Sequence, residues 1–241
     1  PVHWAGRSCE MEKINKIASD HNLYVIEDAC HAIQAEYKFK RCGSLGDLGC
    51  FSFHPLKNLN VWGDGGIITT SNEDLANKLK LIRNHGLINR NTCVEFAYNS
   101  RLDTIQAVIA RYLIKNRLQN ITNTRMKNAH FLDHMLEDLP QINYPRRFSE
   151  LKEVFHLYVF KVKNRDGLYQ YLRENGIDAK IHYPVPMHLQ PAAKAFGYKI
   201  GDFPVAELTA DQTISLPVHE FISFQQIEKM STIIHKYYSS N

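Results

Sequence analysis

The apolar positions of this 241-residue chain change their period several times, and each change predicts an element. Met11, Ile14 and Ile17 recur at helical spacing, so a helix is expected near the start. The run Leu23 to Ile26 in NLYVIEDAC is uninterrupted and ends in two carboxylates, as a strand buried on both faces would. Cys50 to Phe53 reads as a second short strand, stopped by Pro55, which cannot donate to a ladder. GGIITT reads as a third, and Ser71 and Asn72 precede a helix from about Glu73 to Arg83. RNHGLINRNTCVEFAYN reads as a long loop. Beyond it, Leu102, Ile105, Ile109 and Leu113 line one face of a long helix or helix pair. Ser100 and Asp103 have capping-box spacing at its start, and LPQINYP breaks it near Leu139. The last third predicts a strand at HLYVFKV, a helix at RDGLYQYLRENG and a strand at IDAKIHY. A Pro-rich loop and a final helix from Ser223 follow.

A helix feeding a fully apolar strand is half of a βαβ unit whose earlier strand is missing. The chain opens without Met, directly into that helix, so it is expected to be a fragment beginning inside a parallel α/β domain. The expected division is 1–120, the later part of a large domain, and 121–241, a smaller α+β domain. Composition adds few constraints. At 44% hydrophobic and 22% charged residues the chain is that of an ordinary globular protein. The net charge of +4 comes from 29 basic and 25 acidic residues without a dense basic block, which argues against a nucleic-acid partner. Five cysteines, an odd number without CxxC spacing, point to reduced thiols in the cytoplasm. Twelve histidines include no HExxH pair, and no metal is expected. No apolar stretch reaches the roughly 18 residues of a membrane helix, so no membrane partner is expected.

The chemistry gathers around FSFHPLKNLNVWGDGG. Lys57 lies just past a strand end, in a loop that Gly63, Gly65 and Gly66 allow to bend tightly. It is either a solvated loop lysine or a functional one. Asp28 lies at the end of the preceding strand, and in parallel sheets ligands gather at carboxyl ends. The two are either a simple ion pair or the two ends of a cofactor site. Pyridoxal phosphate requires a lysine for its aldehyde and an acid for its ring nitrogen. Ser52, on the same strand end as the lysine, offers a hydroxyl for a phosphate.

These stretches, with PVHWAGRSCEMEKI, VIEDACHA, LIRNHG, YNSRLDTIQA and GIDAKIHYPVPMHLQPA, resemble the DegT-type nucleotide-sugar aminotransferases. The resemblance runs from the first residues to the last helix. It implies the α/β fold of pyridoxal-phosphate-dependent transferases of the aspartate aminotransferase type. Only part of the large domain, with its mainly parallel sheet, is expected, plus the smaller C-terminal domain. Members normally begin with well over a hundred further residues, including a phosphate loop. By the resemblance, Lys57 and Asp28 are catalytic, as the Schiff-base lysine and the partner of the pyridine nitrogen. His31 falls near the ring's phenolic oxygen and Ser52 on the phosphate. Asn99 reaches the neighbour's cofactor across a homodimer with shared sites. Asn99 is expected immediately before a helix N-terminus, where amides and dipole attract anions, which favours the phosphate role; otherwise it shapes the turn, and His31 is otherwise a packed histidine of a turn.

The resemblance also implies a nucleotide-linked keto-deoxysugar as substrate, glutamate as donor, and surface polysaccharide synthesis as the purpose. Related sugar dehydratases carry histidine where this chain has Lys57, which excludes them. Asp64 before Gly65-Gly66 resembles members acting on 3-keto sugars; those acting on 4-keto sugars more often carry glutamate there. In HYPVPMHLQP, Tyr183 and His188 are candidates for substrate contacts or parts of a rigid loop. A non-catalytic homologue with a structural or regulatory role is the alternative. The joint presence of Lys57, Asp28 and Ser52 argues against it.

Overall fold

A computed structural model of the chain describes residues 1–240, which form two compact units. The first comprises Pro1–Asn123 and Phe148–His156, the second Thr124–Arg147 and Leu157–Asn241. In chain order the first unit contains α1 (Met11–Asp20), β1 (Ile26–Asp28), β2 (Glu36–Tyr37), β3 (Lys40–Arg41) and β4 (Leu48–Ser52). It continues with β5 (Gly66–Thr69), α2 (Glu73–Ile82), β6 (Leu87–Asn89), β7 (Thr92–Cys93) and α3 (Thr104–Asn116). Helix α4 (Leu118–Met135) carries the chain into the second unit, where β8 (Ile142–Asn143) lies. Strand β9 (Leu151–Lys152) returns to the first unit. Then β10 (Tyr158–Val162), α5 (Arg165–Glu174), α6 (Pro204–Gln212), β11 (Thr213–Leu216) and α7 (Phe224–Ser239) complete the second.

In the first unit β1 and β4 pair in parallel, Asp28 opposite Cys50, and β5 pairs antiparallel to β4 with Ser52 opposite Gly66. Three apolar clusters support this sheet. Met11, Ala18, Val25 and Tyr37 form one. Ala29, Ala32, Ala35, Cys42 and Val154 form a second. Phe53, Leu59, Val61, Ala110 and Leu118 form the third. Strand β9 pairs with β2, tying the returning segment to this unit.

The second unit is an antiparallel sheet in the order β11–β10–β8 with its own core. Along β10 Tyr158, Phe160 and Val162 are buried and alternate with half-buried residues, the period-2 pattern of a strand with one core face. Leu168 and Leu172 of α5 and Ile227, Met230 and Ile234 of α7 are buried in it. Ser223 caps α7 in a complete capping box: its Oγ accepts from Gln226 N–H, and its own N–H donates to Gln226 Oε1.

Several expectations change. The missing earlier strand is in part present: Val2 bridges Asp28 in parallel, His3 N–H donates to Asp28 C=O, and Asp28 N–H to Pro1 C=O. Strand β1 starts at Ile26, not Leu23, because Asp47 ties up Val25: it accepts Val25 N–H at Oδ2 and donates its own N–H to Val25 C=O. In α1 the buried position after Ile14 is Ala18, and Ile17 is exposed. The long loop 83–99 contains the hairpin β6–β7. The box at Ser100 does not form: Asp103 is the N-cap without a side-chain bond, and Ser100 N–H is spent on Arg83 C=O. IDAKIHY forms no strand; only Lys180 bridges Ser215, since Pro184 and Pro186 prevent a ladder from continuing. No helix among the described residues is long and apolar enough to cross a membrane.

Candidate active site

The pleat of β1 decides the roles of its two carboxylates. Glu27 points inward and is fully buried, whereas Asp28 emerges at the strand end. Glu27 accepts from His3 Nε2 at 2.8 Å and from the N–H groups of Gly43, Leu45 and Gly46 at 2.6–2.7 Å. Cys9 N–H donates to His3 Nδ1, which leaves the ring proton on Nε2 facing Glu27. Burial pushes the Glu27 carboxyl up, but these donors outweigh it and hold it below the ordinary value. The ionised Glu27 thereby ties the 43–46 turn to the strand carrying Asp28. Asp28 Oδ1 accepts from Cys30 N–H at 3.1 Å. Desolvation raises its carboxyl, and the Cys30 hydrogen bonds with His31 and Lys57 nearby more than offset this, so Asp28 stays ionised.

Lys57 is held by the residues after it. The loop leaving β4 is closed by Lys57 N–H to His54 C=O at 2.9 Å, and Val61 N–H returns to Phe53 C=O at 3.2 Å. Asn58, Leu59 and Val61 are buried, so the loop is anchored and Lys57 is half-buried instead of solvated. Its ammonium makes no side-chain hydrogen bond or ion pair among the described residues. Desolvation lowers its pKa, opposed by Cys30 and Asp28, and the net shift is downward. A lysine in this setting gives up its proton more readily than one in water, and the neutral amine is the form that attacks an aldehyde.

The other candidates divide. His31 sits beside Asp28 and bears on its ionisation; its Nδ1 accepts Ala5 N–H at 3.2 Å. Ser52 ends β4, and its Oγ accepts His54 N–H at 3.2 Å. Asn99 does not precede a helix directly: α3 begins at Thr104, and Asn99 instead bridges Asn84 in an exposed extended segment. The helix-dipole argument for Asn99 therefore fails, because four residues separate it from the first helical residue, Thr104. Tyr183 and His188 belong to the second unit. Tyr183 is exposed, whereas the His188 side chain is 8% exposed, packed at a tilt against Phe203 and bonded to Glu207 at 3.0 Å. Glu207 also accepts from Gly201 and Phe203 N–H, so His188 helps hold its own loop and offers little surface to a ligand.

The chain as a whole is similar to known proteins. A model of the DegT/DnrJ/EryC1/StrS aminotransferase family fits residues 1–235. The chain belongs to this family. A "Pleiotropic regulatory protein" from Geobacillus stearothermophilus is 38% identical, covering 99% of this chain and 64% of its own length. The dTDP-3-amino-3,6-dideoxy-alpha-D-galactopyranose transaminase of Aneurinibacillus thermoaerophilus is also 38% identical, over 98% of this chain and 64% of the relative. The crystal structure of S. venezuelae DesV in complex with a ketimine intermediate superposes with a TM-score of 0.94 at 34% identity. It covers 98% of this chain and 64% of that one. The chain thus spans about 64% of the length of these relatives. The α/β fold expected of a DegT-type, pyridoxal-phosphate-dependent aminotransferase is the fold observed, and the chain carries part of it.

Two residues packed beside Lys57 and His31 escaped the sequence. Asn58 is next to Lys57 but is an ordinary loop residue by type. His156 lies 98 positions from Asn58 yet contacts it, and a lone histidine before a strand carries no signal.

Proposed function

We propose that the protein carrying this chain is a pyridoxal-phosphate-dependent aminotransferase acting on a nucleotide-linked keto-deoxysugar. The observation that carries the reading is the half-buried, unpaired Lys57 beside ionised Asp28. These residues fit the cofactor: an amine that gives up its proton more readily than a lysine in water, an acid that stays charged, and a strand-end hydroxyl at Ser52. When bound, pyridoxal phosphate supplies a sink for the electrons released as a C–H bond next to nitrogen breaks. Asp28 would keep the ring nitrogen protonated, Lys57 Nζ would hold the cofactor and move the proton, Ser52 Oγ would donate to the phosphate, and His31 would face the phenolic oxygen with its Nε2–H. The first unit is then the later part of the cofactor-binding domain, and the second unit the small domain.

Three finer points belong to the same proposal. The keto group is at carbon 3, supported by Asp64 before Gly65-Gly66 and by the 3-amino product in the name of the A. thermoaerophilus relative. Glutamate is the donor, in the cytoplasm, for polysaccharide synthesis, as the sequence resemblance implies. The protein is a homodimer sharing its sites through Asn99, supported by exposed Phe96 and Tyr98 beside it and Ile105, Val108 and Tyr112 along α3. Tyr183 is kept as a substrate contact.

The test is single turnover. The protein is aminated with glutamate and mixed with matched 3-keto and 4-keto nucleotide sugars, and the aminated-cofactor absorbance is followed. Faster discharge by the 3-keto sugar is expected. Faster discharge by the 4-keto isomer overturns the position, and no discharge by either overturns the substrate class.

A further inference from the structure

Three stretches far apart in sequence meet around His31 and His156. The first is the turn Trp4–Gly6. Ala5 N–H donates to His31 Nδ1, so the proton of that ring is on Nε2. The second is the segment 154–156. Val154 N–H donates to Gly6 C=O at 2.9 Å, and the approach is so close that a Cβ on Gly6 would lie 2.9 Å from Phe155 N and 3.0 Å from His156 N. Phe155 is buried with φ at 45°, a left-handed conformation that a non-glycine residue keeps only where its surroundings fix it. The ring of His156 then lies against that of His31, centroids 4.2 Å apart and planes inclined at 45°.

The third stretch is the Lys57 loop. Asn58, 4% exposed, donates its amide to Val154 C=O at 3.1 Å. That bond sets the orientation of the amide and turns Oδ1 toward His156 Nδ1, 3.4 Å away. His156 therefore faces the Lys57 loop with its Nδ1–H and His31 with its ring. Two imidazoles and an amide are an expensive filling for a position that an apolar ring would occupy at no polar cost.

We infer that His156 is a positioning residue joining the two sides of the cofactor site: its ring face orients His31, and its Nδ1–H steadies Asn58 and with it Lys57. The inference rests on the reading of Lys57 and Asp28 as a pyridoxal phosphate site. His156 acts through His31 and Asn58.

The test uses the protein carrying this chain loaded with pyridoxal phosphate. The readouts are the visible band of the bound cofactor and borohydride labelling of Lys57, not turnover. His156→Ala should move the band in the same direction as His31→Ala, and the double variant should move it by less than the sum of the two single shifts, the remainder being the part that runs through Asn58. His156→Phe keeps a ring face and should leave the band nearer the wild-type position. His156→Asn keeps a partner for Asn58 without the ring and should shift it, which preserves the test if the alanine variant does not fold. A band unmoved by both His156→Ala and His156→Asn, or shifts that add in the double variant, overturns the inference. A wild-type protein with neither band nor label overturns the cofactor reading, and this inference with it.

Discussion

Glu27 and Asp28 are neighbours with opposite tasks, and the strand pleat assigns them. Glu27, inside, collects four donors and ties the 43–46 turn to β1; Asp28, outside, is left exposed at the strand end. Replacing Glu27 by Gln turns an amide N–H₂ toward backbone N–H groups and leaves buried donors unpaired, at a cost of about 2–3 kcal/mol. The linkage has a definite sign. The carboxyl of Glu27 is lower in the folded state than in the unfolded chain. Its contribution is therefore complete above the ordinary glutamate value of about 4.3 and is lost as pH falls through the folded value. Urea unfolding from pH 7 to pH 3 should show a steep acid limb that flattens in Glu27→Gln. Equal limbs in both proteins would remove Glu27 from the account.

At the scale of elements, patterns that depend on neighbours in sequence were legible and those that depend on distant partners were not. The strand ends carrying Asp28 and Lys57, the helix at Glu73 and the cap at Ser223 follow from local period and capping residues. The box at Ser100 has the same local signature, yet the Ser100 N–H goes to Arg83 C=O and the helix starts at Thr104. A bond to a residue 17 positions earlier leaves no trace in an S-x-x-D spacing. Hairpin β6–β7 and the Lys180–Ser215 bridge were likewise set by pairing, and His156 came to lie against His31 through a return of the chain. The two serines make a matched pair of tests. Ser223→Ala should cost about 1 kcal/mol of stability by thermal or urea unfolding, whereas Ser100→Ala should cost much less. Equal losses would contradict the assigned caps.

For the whole molecule the first unit holds Lys57, Asp28, His31, Ser52 and Asn99, while Tyr183 and His188 lie in the second. Shared sites predict complementation between two defective proteins. Mixed dimers of a Lys57→Ala protein and an Asn99→Ala protein contain one site with both lesions and one with neither. Activity should reappear on subunit exchange; exchange proven by mass without any recovery would refute sharing.

The central claim is that Lys57 holds the cofactor, and reduction tests it most directly. The protein is loaded with pyridoxal phosphate, treated with borohydride, digested, and its peptides weighed. The account predicts a stable pyridoxyl mass on the peptide containing Lys57 and its loss in Lys57→Ala. A label on a different lysine, or bound cofactor with no label on any peptide, would contradict it.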